Sequence, residues 1–273
     1  MRATIDDIEM SFELVGEGPL VIFVAGTGYP GCTWPPSVIS PLAESFTVVT
    51  FDLRGTGETP AGDKPFSTRL FAADAAALVA SLGRGPAHVI GHSMGGRVAQ
   101  WMALDAPDLV RTLVLAATGP GRHGAGAQGV EVPAHVRDGL ETLGYEKYIS
   151  AHQRATFFTK AFAEEHPDVT AWLDAAFWSG RPTLDNYLRH VVARQQHDIV
   201  DLLPRIAHPT LVLVGELDDF HGGTGSHVEQ SRFLAEHIPD AHLVTIPGAK
   251  HGYFWEKPVE STQVIRSWLV AHG

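Results

Sequence analysis

The sequence predicts an α/β protein, a mostly parallel, doubly wound sheet interrupted by a helical cap. Three observations carry that expectation. Short β-branched runs recur along the chain, they are apolar almost without alternation, and helix-like stretches separate them. Continuous apolar runs indicate strands covered on both faces, as in parallel sheets, and regular alternation with helices indicates double winding.

The strand-like runs are residues 20–25 (LVIFVA), 46–51 (FTVVTF), 87–90 (AHVI), 112–116 (TLVLA), 210–214 (TLVLV) and 242–246 (HLVTI). A helix is expected over 67–82, because Ser67 is a good N-cap and Leu70, Phe71, Asp74, Leu78 and Leu82 recur at helical spacing. Further helices are expected over 95–106 and 258–271. From 120 to 204 no strand-like run appears, only helix-like segments rich in aromatics, among them Phe157, Phe158, Phe162, Trp172, Phe177, Trp178 and Tyr187. This stretch reads as the cap, inserted in a core built from 1–119 and 205–273. Its first part, GPGRHGAGAQG, is glycine-rich and reads as a mobile loop. The segment 119–129 is accordingly a candidate lid hinge.

A chain of 273 residues suits one large domain and buries roughly three quarters of the surface its unfolded form exposes. With 20 basic and 31 acidic residues the formal net charge is −11, which repels nucleic acid and anionic membranes. The single cysteine, Cys32, excludes an intramolecular disulfide and fits a reducing compartment. The N-terminal stretch lacks the apolar centre of a signal peptide, and the run at 20–25 is too short to span a bilayer. A soluble, cytoplasmic protein acting on a small molecule is expected, as a monomer or homodimer, with no nucleic-acid or membrane partner.

The chemistry concentrates at Gly91-His92-Ser93-Met94-Gly95, which fits G-x-S-x-G between the strand AHVI and a helix. The pattern alone arises easily by chance; the strand–turn–helix setting is what the motif requires. The turn is so tight that only small residues fit two before and two after the serine. The following helix points its N-terminus, and its partial positive charge, at the reaction centre.

A serine hydroxyl becomes a useful nucleophile when a neutral imidazole takes its proton and a buried carboxylate holds that imidazole. With this motif the acid and then the histidine follow the serine along the chain. The run TLVLV leads into Gly215-Glu216-Leu217-Asp218-Asp219, acids placed after a strand's carboxyl end, where open α/β sheets build their sites. Asp218 is the candidate acid and Asp219 is assigned to the turn. The alternative place for the acid reads Ala116-Ala117-Thr118 and holds no carboxylate. The run HLVTI leads into Pro247-Gly248-Ala249-Lys250-His251-Gly252, which makes His251 the candidate base among 15 histidines. His92 is expected to pack or orient the elbow. His221 and His227 are possible pocket residues without metal-ligand spacing. Two backbone N–H groups are needed for an oxyanion. Met94 should supply one, and the loop 25–28, at Thr27, the other.

With VAGTG, FDLRGTG, GHSMGG, GELD and GAKHG in place, the chain resembles the α/β-hydrolase superfamily over essentially its full length. The loop DLRGTGETP and the stretch GHSMGGRVAQWMALDAPDLVRTLVLAA resemble those of 3-oxoadipate enol-lactonases and related small esterases, although Ala25-Gly26 stands where many relatives have His-Gly. The resemblance implies a cofactor-free and metal-free serine hydrolase of carboxylesterase type. Lactonase and C–C bond hydrolase chemistry are alternatives, as are a cofactor-free haloperoxidase or perhydrolase and a non-catalytic small-ligand receptor. Trp34, Phe158, Trp178 and Tyr253 are candidate pocket liners, and so aromatic a pocket favours neutral substrates.

Overall fold

A computed structural model describes residues 1–125, 131–219 and 225–273. Its eight strands form one sheet in the order β1-β2-β4-β3-β5-β6-β7-β8. β1 (Arg2–Ile5) and β2 (Ile8–Val15) are antiparallel to each other, and β2 is antiparallel to β4 (Thr47–Phe51). β4, β3 (Leu20–Val24), β5 (Ala87–His92), β6 (Val110–Ala116), β7 (Thr210–Gly215) and β8 (Ala241–Ile246) are parallel. All six runs read as strands in the sequence are strands here. The N-terminal pair was not anticipated: β2 alternates buried and exposed residues, the pattern of a half-covered strand rather than a buried one.

The apolar runs have their physical reason in the two cores that flank the sheet. On β3, Leu20, Ile22 and Val24 join one core, while Val21 and Phe23 join the other. The first core is closed by α2 (Thr68–Leu82) and α3 (Met94–Asp105), through Phe71, Leu78, Val98 and Met102. The second is closed by α1 (Pro36–Ala43) and α10 (Pro258–Ala271), through Val38, Leu42, Ile265 and Leu269. β8 is the exception, an edge strand whose Leu243 is exposed.

Ser67 caps α2 as expected, its side chain accepting from Leu70 N–H at 3.0 Å. Asp74, in the middle of that helix, is buried because Arg54 meets it in a fork: Nε to Oδ2 at 2.5 Å and Nη2 to Oδ1 at 2.8 Å. Arg54 also reaches Asp7 at 2.6 Å, tying the loop after β4 to the turn between β1 and β2.

Between β6 and β7 lie α4 (Ala134–Phe157), broken at Gly144 where φ is 75°, α5 (Lys160–Glu165), α6 (Pro167–Ser179) and α7 (Leu184–Gln195). Val136, Tyr148, Ile149, Phe177, Tyr187 and Val191 form a third apolar cluster within these helices. Of the glycine-rich segment read as a lid hinge, residues 126–130 lie outside the described residues. α8 (His227–His237) and α9 (Tyr253–Glu256) complete the chain. Among the described residues no helix is long and apolar enough to cross a membrane.

Candidate active site

Because β3, β5, β7 and β8 run parallel, the loops that follow them emerge at the same edge of the sheet, and each carries one of the residues singled out above. Ser93 follows β5 with φ 56° and ψ −118°, a strained conformation for a residue with a side chain. Two hydrogen bonds hold it there: Ser93 N–H donates to Ala116 O at 2.8 Å, and Thr118 Oγ1 donates to Ser93 O at 2.7 Å. The flanking glycines are steric necessities. A Cβ on Gly95 would strike Val24 O, and one on Gly91 would strike Gly95 O.

The loops after β7 and β8 interlock, Glu216 N–H donating to Ile246 O at 2.9 Å and Leu217 N–H to Ala249 O at 2.8 Å. That contact brings His251 Nδ1 to 2.8 Å from Asp218 Oδ2. The His251 loop is moored to the end of α4, where Gly252 N–H donates to Phe157 O at 2.9 Å. Asp219 faces outward, near Lys250 at 3.6 Å. Ser93, His251, Gly26 and Thr27 border one narrow cavity of about 30 Å³, and Asp218 lies behind His251, 1% exposed. Met94 is the first residue of α3, so its N–H has no intrahelical acceptor. Among the described residues neither that group nor Thr27 N–H donates elsewhere.

The surroundings of Asp218 hold a feature not anticipated from the sequence. His227 does not line the cavity; its Nδ1 lies 3.1 Å from Asp218 Oδ1, and its ring stacks on His251 with centroids 4.6 Å apart. One carboxylate thus carries two imidazoles. Burial by itself would raise the Asp218 carboxyl, but His251 and His227, through charge and hydrogen bonds, outweigh it and hold it well below the usual range. Burial pushes the His227 imidazole down to about 4, against the pull of Asp218, so it serves as a neutral donor at pH 7. Ligand-capable atoms of Asp218, His227 and His251 lie within 4.8 Å of one another. Hydrogen bonding accounts for that closeness, since both carboxylate oxygens are already engaged. The sequence did hold a signal for His227: Ser226-His-Val-Glu229 is a capping box, with both its hydrogen bonds formed, which puts His227 at the start of α8 beside the Asp218 loop. His92 ties the elbow to the His251 loop, its Nε2 donating to His251 O at 2.9 Å. Burial, reinforced by His251, keeps its imidazole neutral. His221 lies outside the described residues.

The four candidate liners are packing residues instead. Trp34 is buried against Phe23 and Trp255 and borders a different, wider groove of about 510 Å³ beside β2 and α1. Phe158 stacks on Phe162, Trp178 packs with Tyr145 and Phe177, and Tyr253 is fully buried with its hydroxyl donating to Leu213 O at 3.1 Å. The aromatics that do border the Ser93 cavity are Tyr29, Phe157 and Tyr187, joined by Ile149, His152, Thr156 and Arg194. Most come from α4 and α7, helices whose cavity-facing sides are set by how they settle on the sheet.

Residues 19–258 match the family of the alpha/beta hydrolase fold. BpoC of Mycobacterium tuberculosis, provisionally named a non-heme bromoperoxidase, is 31% identical over 92% of this chain and 94% of its own. The pimeloyl-[acyl-carrier protein] methyl ester esterase of Chromobacterium violaceum is 30% identical over 89% of this chain and 91% of its own. Among solved structures, a thermophilic esterase from Thermogutta terrifontis superposes with a TM-score of 0.82 at 29% identity, covering 100% of both chains. The chain belongs to the α/β-hydrolase family, and it is a hydrolase.

Proposed function

We propose that the protein is a cytoplasmic serine hydrolase of carboxylesterase type, cleaving a small ester through an acyl-enzyme. The observation that carries this reading is the strained Ser93 sharing one cavity with a histidine whose far nitrogen is held by a buried carboxylate. Ser93 Oγ attacks the carbonyl while His251 takes its proton, and Asp218 fixes the imidazole and stabilises it as it charges. The N–H groups of Thr27 and Met94, both uncommitted among the described residues, receive the oxyanion. His251 then protonates the departing alcohol and activates water, which releases the acid. Neither a metal nor an organic cofactor is required by these steps.

Hydrolysis of a p-nitrophenyl ester series from acetate to octanoate tests this. Release is expected from the wild type and not from Ser93→Ala; equal rates in the two would overturn the assignment. A lactone is opened by the same steps, and a lactonase is the alternative within this chemistry. The likeness to BpoC supports one further reading, peroxide-dependent halogenation, which bromide oxidation on addition of hydrogen peroxide would reveal.

A further inference from the structure

The cavity at Ser93 is bordered by one arginine, Arg194, and by no carboxylate among the described residues. Arg194 stands in the last turn of α7, where any cation gains from the helix dipole. Its side chain, however, leaves that helix end and crosses to the loop beside the serine, where Nη1 lies 3.4 Å from Thr27 Oγ1. This long contact is the guanidinium's one hydrogen bond among the described residues, out of five N–H groups. The groups that favour its charge are Tyr187 and Tyr148, and among the described residues no acid does. A second arginine, this one buried, stands behind it: Arg97, 5% exposed, donates from Nη1 to Arg194 O at 2.5 Å and likewise has no acid partner among the described residues. His152, which borders the same cavity, is kept neutral by burial and by Arg194 itself.

One half-buried and one buried guanidinium, with no counter-ion among the described residues of a chain of net charge −11, are costly unless something else brings the negative charge. Resting on the serine-hydrolase reading of this cavity, we infer that its substrates are esters carrying a carboxylate, gripped by Arg194 on the Thr27 side of the reacting carbonyl. The planar guanidinium fork pairs with a carboxylate through two parallel hydrogen bonds, and a half-ester of a short dicarboxylic acid presents ester and carboxylate together. This replaces the neutral substrates that the aromatic composition of the helical segment suggests. The competing role for Arg194, bracing Thr27, would affect every ester alike.

The test compares monomethyl glutarate and monomethyl adipate with the corresponding neutral methyl ester amides, followed by acid release. The wild type is expected to favour the acids by about tenfold or more in kcat/KM, a charge-assisted pair's worth of discrimination. The acid-to-amide ratio should collapse in Arg194→Met and recover partly in Arg194→Lys. A wild-type ratio near one, or equal losses on both substrates in the variants, overturns the inference while leaving serine-dependent p-nitrophenyl acetate hydrolysis, and so the hydrolase reading, standing. Calorimetric titration of glutarate into Ser93→Ala, and into Ser93→Ala with Arg194→Met, reads the anion site without turnover. Binding lost on removal of Arg194 supports it even if no ester is cleaved, and absence of binding to Ser93→Ala counts against it. Should Arg194→Met fail to fold, the wild-type ratio and the lysine variant decide.

Discussion

At the scale of single residues, the carboxylate of Asp218 is unusual in accepting from two imidazoles, one on each oxygen. Replacing Asp218 with Asn removes the acceptor that selects the reactive tautomer of His251, so kcat on p-nitrophenyl acetate should fall by about a thousandfold or more. His227 is expected to act through Asp218 as a positioning residue. Its neutral N–H disperses the carboxylate's charge; in His227→Phe that charge is concentrated on the oxygen facing His251, and protonated His251 is favoured. The acid limb of the kcat/KM profile should therefore move to higher pH, which a loss of packing alone would not produce. An unmoved limb would leave His227 a structural residue.

Among the elements, the parallel strands were legible because each buries both faces, and so each writes an uninterrupted apolar run. β1 and β2 bury one face and write a mixed pattern, which is why they were missed. α2 was legible for its cap and its stripe, and its odd member, Asp74, proves to be the partner of Arg54. Ser67→Ala should lower stability by about 1 kcal/mol, the usual loss of an N-cap. Arg54→Met should cost about 3–5 kcal/mol, because it strands Asp74 inside the protein without a partner. Denaturant unfolding of both variants checks the order; an Arg54 variant no weaker than the Ser67 variant would show that Asp74 tolerates burial alone.

For the molecule as a whole, stability should depend steeply on acid. Burial pushes His88, His152, His190 and His227 down to about 4, and it holds His92 and His197 well below their ordinary value too. In the unfolded chain each titrates near 6.5. As pH falls below that value the unfolded state takes up protons that the folded state refuses, by about 1.4 kcal/mol per pH unit for each histidine. The stability is complete above pH 6.5 and is lost between there and about pH 4. Asp52 and Asp74, both raised by burial, work in the opposite sense but are only two. Thermal unfolding at pH 8, 6 and 5 should show a steep drop over the lower interval, and a flat Tm would mean that these imidazoles reach solvent.

The sequence by itself determined the double winding, the tight glycine-flanked turn at Ser93 and the placing of Asp218 and His251 on loops that follow strands. Those features are local: a strand's period, a glycine's missing Cβ and a loop's place after a strand are each written within a few adjacent residues. Tertiary structure decided what borders the cavity. Trp34, Phe158, Trp178 and Tyr253 were drawn into packing, while Tyr29, Phe157, Tyr187 and Arg194 came to face Ser93. In the sequence Arg194 is one of 20 basic residues with nothing to mark it. Its significance arises from where α7 settles beside the loop of Thr27, because whether a charge has a partner depends on distances in space, which the order of residues along a helix does not contain.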